Sequence, residues 1–491
     1  MRNWPLAMAS LVLGMAVVLG PARAADNYRM GAASEVITPK VAPDAPPVWL
    51  AGYGPGRQAE AVHDDIYARA TVISDGKYTV AIVACDLIGL FREDVLRIRK
   101  DVDQLQLKPP IDYVLVSSTH THAGPDTVGL WGPIGRTGVN AEHLKQVRAA
   151  CVEVTRHAHA AMRPATLRIA HADVNEMAQL IGDSRQPIVI DSQLTVVQAK
   201  DETGRVIVTW VNMPCHPEVL GSRNKQLSSD FPSTERKHLE EKFGGTAIHN
   251  TGTVGGLLAP REPKTHPITN QPIPTEPIEQ MMAYGRLIGT IAERALAKSV
   301  PLAGPIRADA KELLIPLWNP MYRLGAQMSI LRRQVFDEKG ERTSIPATAP
   351  APATPDAASA DAPRTAPTGP EFFLKTEVAR LTIGDLEIAA IPGEIYPELT
   401  LGKIQAPQDP GADFQGAPQE PSVFGLMRGQ HRMLVGLAND EIGYILPKSQ
   451  WDWVAPYAYG RKDRQYGEAN SCGPEAGPRI MAAWAALVKD R

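Results

Sequence analysis

Four short apolar runs in this 491-residue chain each end in polar residues of the kinds that bind metals or move protons. In Val114-Leu115-Val116-Ser117-Ser118-Thr119-His120-Thr121-His122 a β-branched strand runs into two histidines. At i and i+2 of an extended chain both imidazoles face the same side, so one or both could meet a metal. Gly124-Pro125 then turns the chain, which places the pair at a strand end. A second run ends in Met213-Pro214-Cys215-His216-Pro217. The two prolines deny His216 a helix and stiffen its backbone, as a ligand requires and as a purely structural turn would also show. Cys215 points opposite to His216, because adjacent side chains alternate on extended backbone. Ala389-Ala390-Ile391-Pro392-Gly393-Glu394 and the run from Val435 through Asn439, Asp440 and Glu441 to Tyr444 repeat the pattern.

The elements that must position these groups are readable from periodicity. Apolar, β-branched stretches predict strands over 78–84, 113–117, 206–212, 386–391 and 433–437. Three- and four-residue apolar spacing predicts helices over 92–105, 141–159, 233–242 and 278–297. The alternation indicates an α/β or mixed α+β fold: one large domain around a central, mostly buried sheet, with the site at strand ends. In open α/β sheets sites gather beyond the carboxyl ends of the strands. Antiparallel neighbours would instead send those ends to opposite edges.

The wider chain sets limits. Residues 1–24 combine Arg2, an apolar core from Leu6 to Leu19 and Ala22-Arg23-Ala24, which reads as a secretory signal peptide and predicts an exported, periplasmic or secreted protein. No second apolar stretch approaches the ~20 residues that span a bilayer. The formal charge is −3 and becomes more negative once Arg2 and Arg23 are removed. That balance excludes a nucleic-acid partner, which needs a basic footprint. Cys85, Cys151, Cys215 and Cys472 contain no Cys-x-x-Cys unit, which rejects a zinc knuckle and leaves buried free thiols or up to two bridges. The Pro/Ala-rich stretch 344–370 has no large apolar residue after Ile345 and reads as a flexible insertion within one catalytic unit, 25–491.

As an ordered set, several pieces resemble the neutral, non-lysosomal ceramidases: Gly31 to Pro39, Gly52-Tyr53-Gly54, His63 to Ala70, Ser118-Thr119-His120-Thr121-His122, Asn212 to Pro217, Pro392-Gly393-Glu394 and Asn439 to Tyr444. The resemblance implies an amidase with one zinc held by His120, His216, Glu394 and Tyr444. It further implies that His122, an arginine and a later tyrosine stabilise the tetrahedral intermediate. Arg185 is the best match for the arginine, and the tyrosine is either Tyr457, by its distance from Tyr444, or Tyr466, by its place ahead of Gly473-Pro474. Zinc with N and O ligands and an open position lowers the pKa of its water toward ~7 and polarises an acyl carbonyl. Asp86 and Asp230 are candidates to orient the imidazoles, or to cap turns.

Two departures matter. Where ceramidases carry Gly-Asp-x-Ser-Pro-Asn, this chain has Gly252-Thr253-Val254-Gly255-Gly256-Leu257, so no mechanism can rest on that serine. Gly255-Gly256 could instead admit substrate or offer amide groups to an oxyanion. The chain is also expected to lack the immunoglobulin-like C-terminal domain of ceramidases. The two departures shift the expected substrate from ceramide itself toward another small N-acyl, ceramide-like amide or an ester, lipids included. An esterase or lactonase, or a metal-containing binding protein, remains the alternative. The zinc reading requires the four ligating atoms to converge on a point ~2 Å from each.

Overall fold

Two β-sheets lie face to face, and the apolar positions that point between them form the largest core. The computed structural model describes residues 28–261, 265, 270–346 and 372–489. The signal-peptide reading over 1–24 and positions 347–370 of the Pro/Ala stretch lie outside them. The nine-stranded sheet runs, in spatial order, Thr246–Thr251, Val206–Met213, Thr195–Asp201, Arg163–His171, Tyr28–Val36, Tyr67–Ser74, Thr79–Cys85 and Tyr113–Ser118, with Val300–Leu302 also paired to Arg163–His171. The six-stranded sheet runs Arg342–Thr343, Val335–Phe336, Phe373–Ile383, Leu386–Ala390 and His431–Val435, with Ile306–Pro316 on the other side of Phe373–Ile383. Val335–Phe336 and Phe373–Ile383, which flank the Pro/Ala stretch, thus belong to one sheet.

Between the sheets, Ile82, Ile169, Val197 and Trp210 of one pack with Leu381, Ile388 and Met433 of the other. Because inward and outward residues alternate along a strand, the opposite face of the larger sheet is apolar too and must be covered. Arg92–Gln104 and Ala141–Ala160 cover one part, and Phe231–Phe243 with Pro277–Leu296 cover another. Ala476–Lys489 covers the outer face of the smaller sheet through Ile480, Met481 and Trp484. The result is a mixed α/β architecture, helix on sheet on sheet on helix, and the predicted strands and long helices all occur within one or two residues of expectation. Helix starts are locally encoded: Asn140 accepts from the amides of Glu142 and His143, a cap worth ~1 kcal/mol.

The four cysteines are buried free thiols, with the sulfurs of Cys85 and Cys151 3.4 Å apart. Among the described residues no helix is long and apolar enough to cross a membrane.

Candidate active site

Both sheets are mixed, yet every strand that delivers a candidate ligand has a parallel neighbour. Thr79–Cys85 pairs in parallel with Tyr113–Ser118, Val206–Met213 with Thr246–Thr251, and Leu386–Ala390 with His431–Val435. Their carboxyl ends meet. The ends of the two sheets are stitched together there: the Asn439 amide donates to Val116 O at 2.7 Å, Gly436 N to Thr251 O at 3.0 Å, and the Asn212 side chain to Leu434 O at 2.9 Å. Loops from both sheets therefore approach one point, and His120, His216, Glu394 and Tyr444 arrive on them.

The geometry fits a metal site. His120 Nδ1 is 2.6 Å from Ile88 O, and His216 Nδ1 is 2.8 Å from Leu258 O. A backbone carbonyl can only accept, so each Nδ1 carries a proton and each Nε2 is left to meet a metal ion or, when protonated, to donate to Glu394. Those two nitrogens face one carboxylate: His216 Nε2 is 3.0 Å from Glu394 Oε2, and His120 Nε2 is 3.5 Å from Glu394 Oε1. Two imidazole nitrogens and a carboxylate thus lie close enough together to share one cation. Tyr444 faces Glu394 as its register partner in the two-residue parallel ladder Glu394–Ile395 with Tyr444–Ile445. Backbone shape holds them there. His120 has φ of 66°, a left-handed conformation that a non-glycine residue adopts at a cost of ~1 kcal/mol or more. Gly393 lies where a Cβ would stand 2.5 Å from Gly443 O, which lets the Glu394 and Tyr444 loops touch.

Charge follows the geometry. Burial alone would push the Glu394 carboxyl up, but His120 and His216 draw it well below the usual carboxylate range. Burial disfavours the His216 imidazolium, yet the hydrogen bond to Glu394 and the charges of Glu218 and Glu394 outweigh it and lift His216 to about 9. Burial, then the charge of Glu394, keeps the Tyr444 phenol protonated well above its ordinary range. A divalent cation would replace the shared proton and relieve each of these shifts.

His122 stands beside the two ligating rings, 5.1 Å from His120 and 5.3 Å from His216 between centroids. Its ligand atom lies within 4.8 Å of theirs, so the three histidines form a metal-capable group. Its Nε2 is buried without a partner. Nδ1 is 3.2 Å from Glu218 Oε2, although the ring N–H is not aligned as in a full hydrogen bond. Tyr53 OH donates to Glu218 through both its carboxylate, at 3.2 Å, and its carbonyl, at 3.1 Å. Gly52 makes room for this ring: a Cβ there would sit 2.3 Å from His122 Cγ, and its φ of 98° suits glycine. Sequence reasoning assigned no role to Glu218 or Tyr53. Glu218 lies two residues past His216 in a bent segment, where the i, i+2 rule for extended chain does not reach it.

A cavity of about 630 Å³ opens over the cluster. His120, His122, His216, Glu394 and Tyr444 form one wall, and Phe91, Val128, Leu130, Trp131, Leu331 and Leu374 give it a wide apolar side. Tyr466 lines the cavity with its ring 5.8 Å from that of Tyr444, and its phenol is raised to about 12 by burial and by Glu394 and Glu218. Glu441 also lines it, with Oε2 buried and unpartnered.

Several predicted residues do other work. Arg185 does not reach the cavity: Glu398 takes both of its terminal nitrogens at 2.6 Å and the Tyr396 ring stacks under it at 4.1 Å. The arginine that lines the cavity is Arg333, which is bound to Asp440 at 2.5 Å and to Glu441 O at 2.7 Å. Tyr457 is likewise absent from the cavity wall, so of the two tyrosines only Tyr466 is brought to the site. Asp86 forms a bidentate pair with Arg236, and Asp230 caps Phe231–Phe243 while accepting from Val219 N and Leu220 N. Neither touches an imidazole; backbone carbonyls orient both rings instead. Gly255 faces backbone rather than substrate, since a Cβ there would be 2.4 Å from the carbonyl carbon and oxygen of Ile395. Gly256 makes room for Arg185 in the same way, with Nε at 2.5 Å from an added Cβ.

Residues 28–259 match the family model of neutral/alkaline non-lysosomal ceramidase, N-terminal. No curated protein sequence matches the chain. Among solved structures it is similar to a ceramidase complexed with C2, with a TM-score of 0.67 and 17% identity over 94% of this chain and 75% of that one. It is also similar to the neutral ceramidase from Pseudomonas aeruginosa, with a TM-score of 0.65 and 17% identity over 94% of this chain and 74% of that one. At this identity the structural likeness is one of fold.

Proposed function

We propose that the chain is a zinc-dependent hydrolase of an N-acyl amide, a reading supported by the match of residues 28–259 to the neutral/alkaline ceramidase family model. One observation carries this reading. His120 and His216, each with Nδ1 committed to a backbone carbonyl, direct Nε2 at the two oxygens of Glu394 on the wall of a cavity with a wide apolar side. These three side chains and Tyr444 would hold the ion; hard and borderline donors of this kind, three or four in number, suit zinc. When bound, such an ion activates water at neutral pH and polarises an acyl carbonyl.

The chain's own residues supply the rest. The apolar wall of Phe91, Val128, Leu130, Trp131, Leu331 and Leu374 takes the acyl chain and excludes water from the reacting carbonyl. His122 Nε2 and the Tyr466 hydroxyl, both on the cavity wall, lie where they can exchange a proton or hydrogen bond with the acyl oxygen or the leaving nitrogen. Glu218, Glu394 and Glu441 put acidic groups on the wall, and its one arginine, Arg333, is already paired. This balance disfavours substrates with a free carboxylate. We further place the protein outside the cytoplasm, on the signal sequence at 1–24.

The test pairs metal analysis of the purified mature protein with hydrolysis of ceramide, simple N-acyl amides and esters, for the parent and for His216→Ala. One zinc per chain, amide turnover, and loss of both in the variant are expected. A metal-free parent that hydrolyses nothing would sink the reading, and turnover of esters alone would replace amide by ester.

A further inference from the structure

The side chain of Glu218 lies between two aromatic residues with nothing in the metal-ligand set to explain it. One carboxylate oxygen, Oε2, is approached by His122 Nδ1 at 3.2 Å and by Tyr53 OH at 3.2 Å. The same hydroxyl reaches the Glu218 carbonyl at 3.1 Å, so it clamps the residue at two atoms. Tyr53 is itself held: Arg57 stacks on its ring at 4.8 Å and donates to the carbonyls of Ala51 and His122. The far nitrogen of His122, Nε2, is buried without a partner, and one of its ring nitrogens lies within 4.8 Å of those of His120 and His216.

We propose that Glu218, clamped by Tyr53, is a positioning residue that holds His122 as the Nδ1–H tautomer and leaves its Nε2 facing the reacting atoms. A carboxylate only accepts, so the nitrogen beside it must carry the proton. The neutral ring then offers a lone pair at Nε2. This assignment makes His122 an acceptor at Nε2, and it rests on the hydrolase reading for its purpose but not for its geometry. The imperfect alignment of the contact suits a site before substrate binds, when catalytic hydrogen bonds are commonly loose.

The decisive experiment is nitrogen-15 NMR of histidine-labelled, metal-loaded protein, with the His122 signals assigned by their loss in His122→Asn. The parent should show the Nδ1–H tautomer, and Glu218→Ala should shift His122 toward Nε2–H. In parallel, Glu218→Ala should lower kcat about 10- to 100-fold at unchanged KM and unchanged metal content, the usual size for an outer partner of a site histidine. Added formate should restore part of that loss. Glu218→Gln, which keeps the volume, guards against misfolding and should also lose kcat without losing metal. An Nε2–H parent, a Glu218→Ala enzyme with full kcat, or a loss explained by missing metal would each overturn the proposal. A correct tautomer in a protein that hydrolyses none of the substrates would leave the Glu218–His122 pair standing and fail the hydrolase reading instead.

Discussion

Glu394 and Tyr444 sit opposite one another in a two-residue parallel ladder, Glu394–Ile395 against Tyr444–Ile445, although 50 positions separate them in the chain. The Glu394 amide donates to Gly443 O at 3.0 Å, and Gly393 has no Cβ to keep the two loops apart. Backbone pairing therefore presents a carboxylate and a phenol side by side, facing the imidazoles that come from the other sheet.

Replacing Glu394 by Gln keeps the size but removes the charge that balances a cation. Metal affinity should fall at least ~10-fold, with hydrolysis falling in step. Chelator competition monitored by metal analysis checks this; unchanged affinity would remove Glu394 from the ligand set.

Gly255 invites a serine by analogy with the ceramidase motif, but the structure predicts harm. A Cβ at this position would be 2.4 Å from Ile395 C and 2.5 Å from Glu394 O, so backbone must move. Gly255→Ser should cost ~1–3 kcal/mol of stability and displace Glu394. Thermal unfolding and metal content should both decline, and a gain of ceramide hydrolysis with full stability would contradict the assignment.

The two tyrosines should separate cleanly. Tyr466→Phe removes a hydroxyl from the cavity wall and should reduce kcat on the order of 10²-fold if it contacts the developing oxyanion. Tyr457→Phe, away from the cavity, should stay within about twofold of the parent. Steady-state kinetics on one amide substrate decides between them.

Arg185 should behave as a structural ion pair. Arg185→Met leaves the buried Glu398 carboxylate without its two 2.6 Å partners and should cost about 3–5 kcal/mol. The paired change Arg185→Met with Glu398→Leu should recover much of that stability. A selective loss of kcat with normal unfolding in the single variant would return Arg185 to the catalytic group.

The sequence by itself determined the strands and helices, because hydrophobic period and proline or glycine breaks are local signals. It also determined which residues end the strands: His120, His216, Glu394 and Tyr444 were legible as donors at turns, and their order supported the family resemblance. What only the tertiary structure decided was pairing across distance. Parallel neighbours within mixed sheets bring the carboxyl ends together, and strand direction is not written in any one segment. The choice of Tyr466 over Tyr457 depends on which loop reaches the cavity. Arg185 was claimed by Glu398, more than two hundred residues away, and Gly255 by the backbone of Ile395. Glu218 gains meaning only where the Tyr53 loop meets it. Such contacts depend on how two sheets stack, which local propensity does not encode.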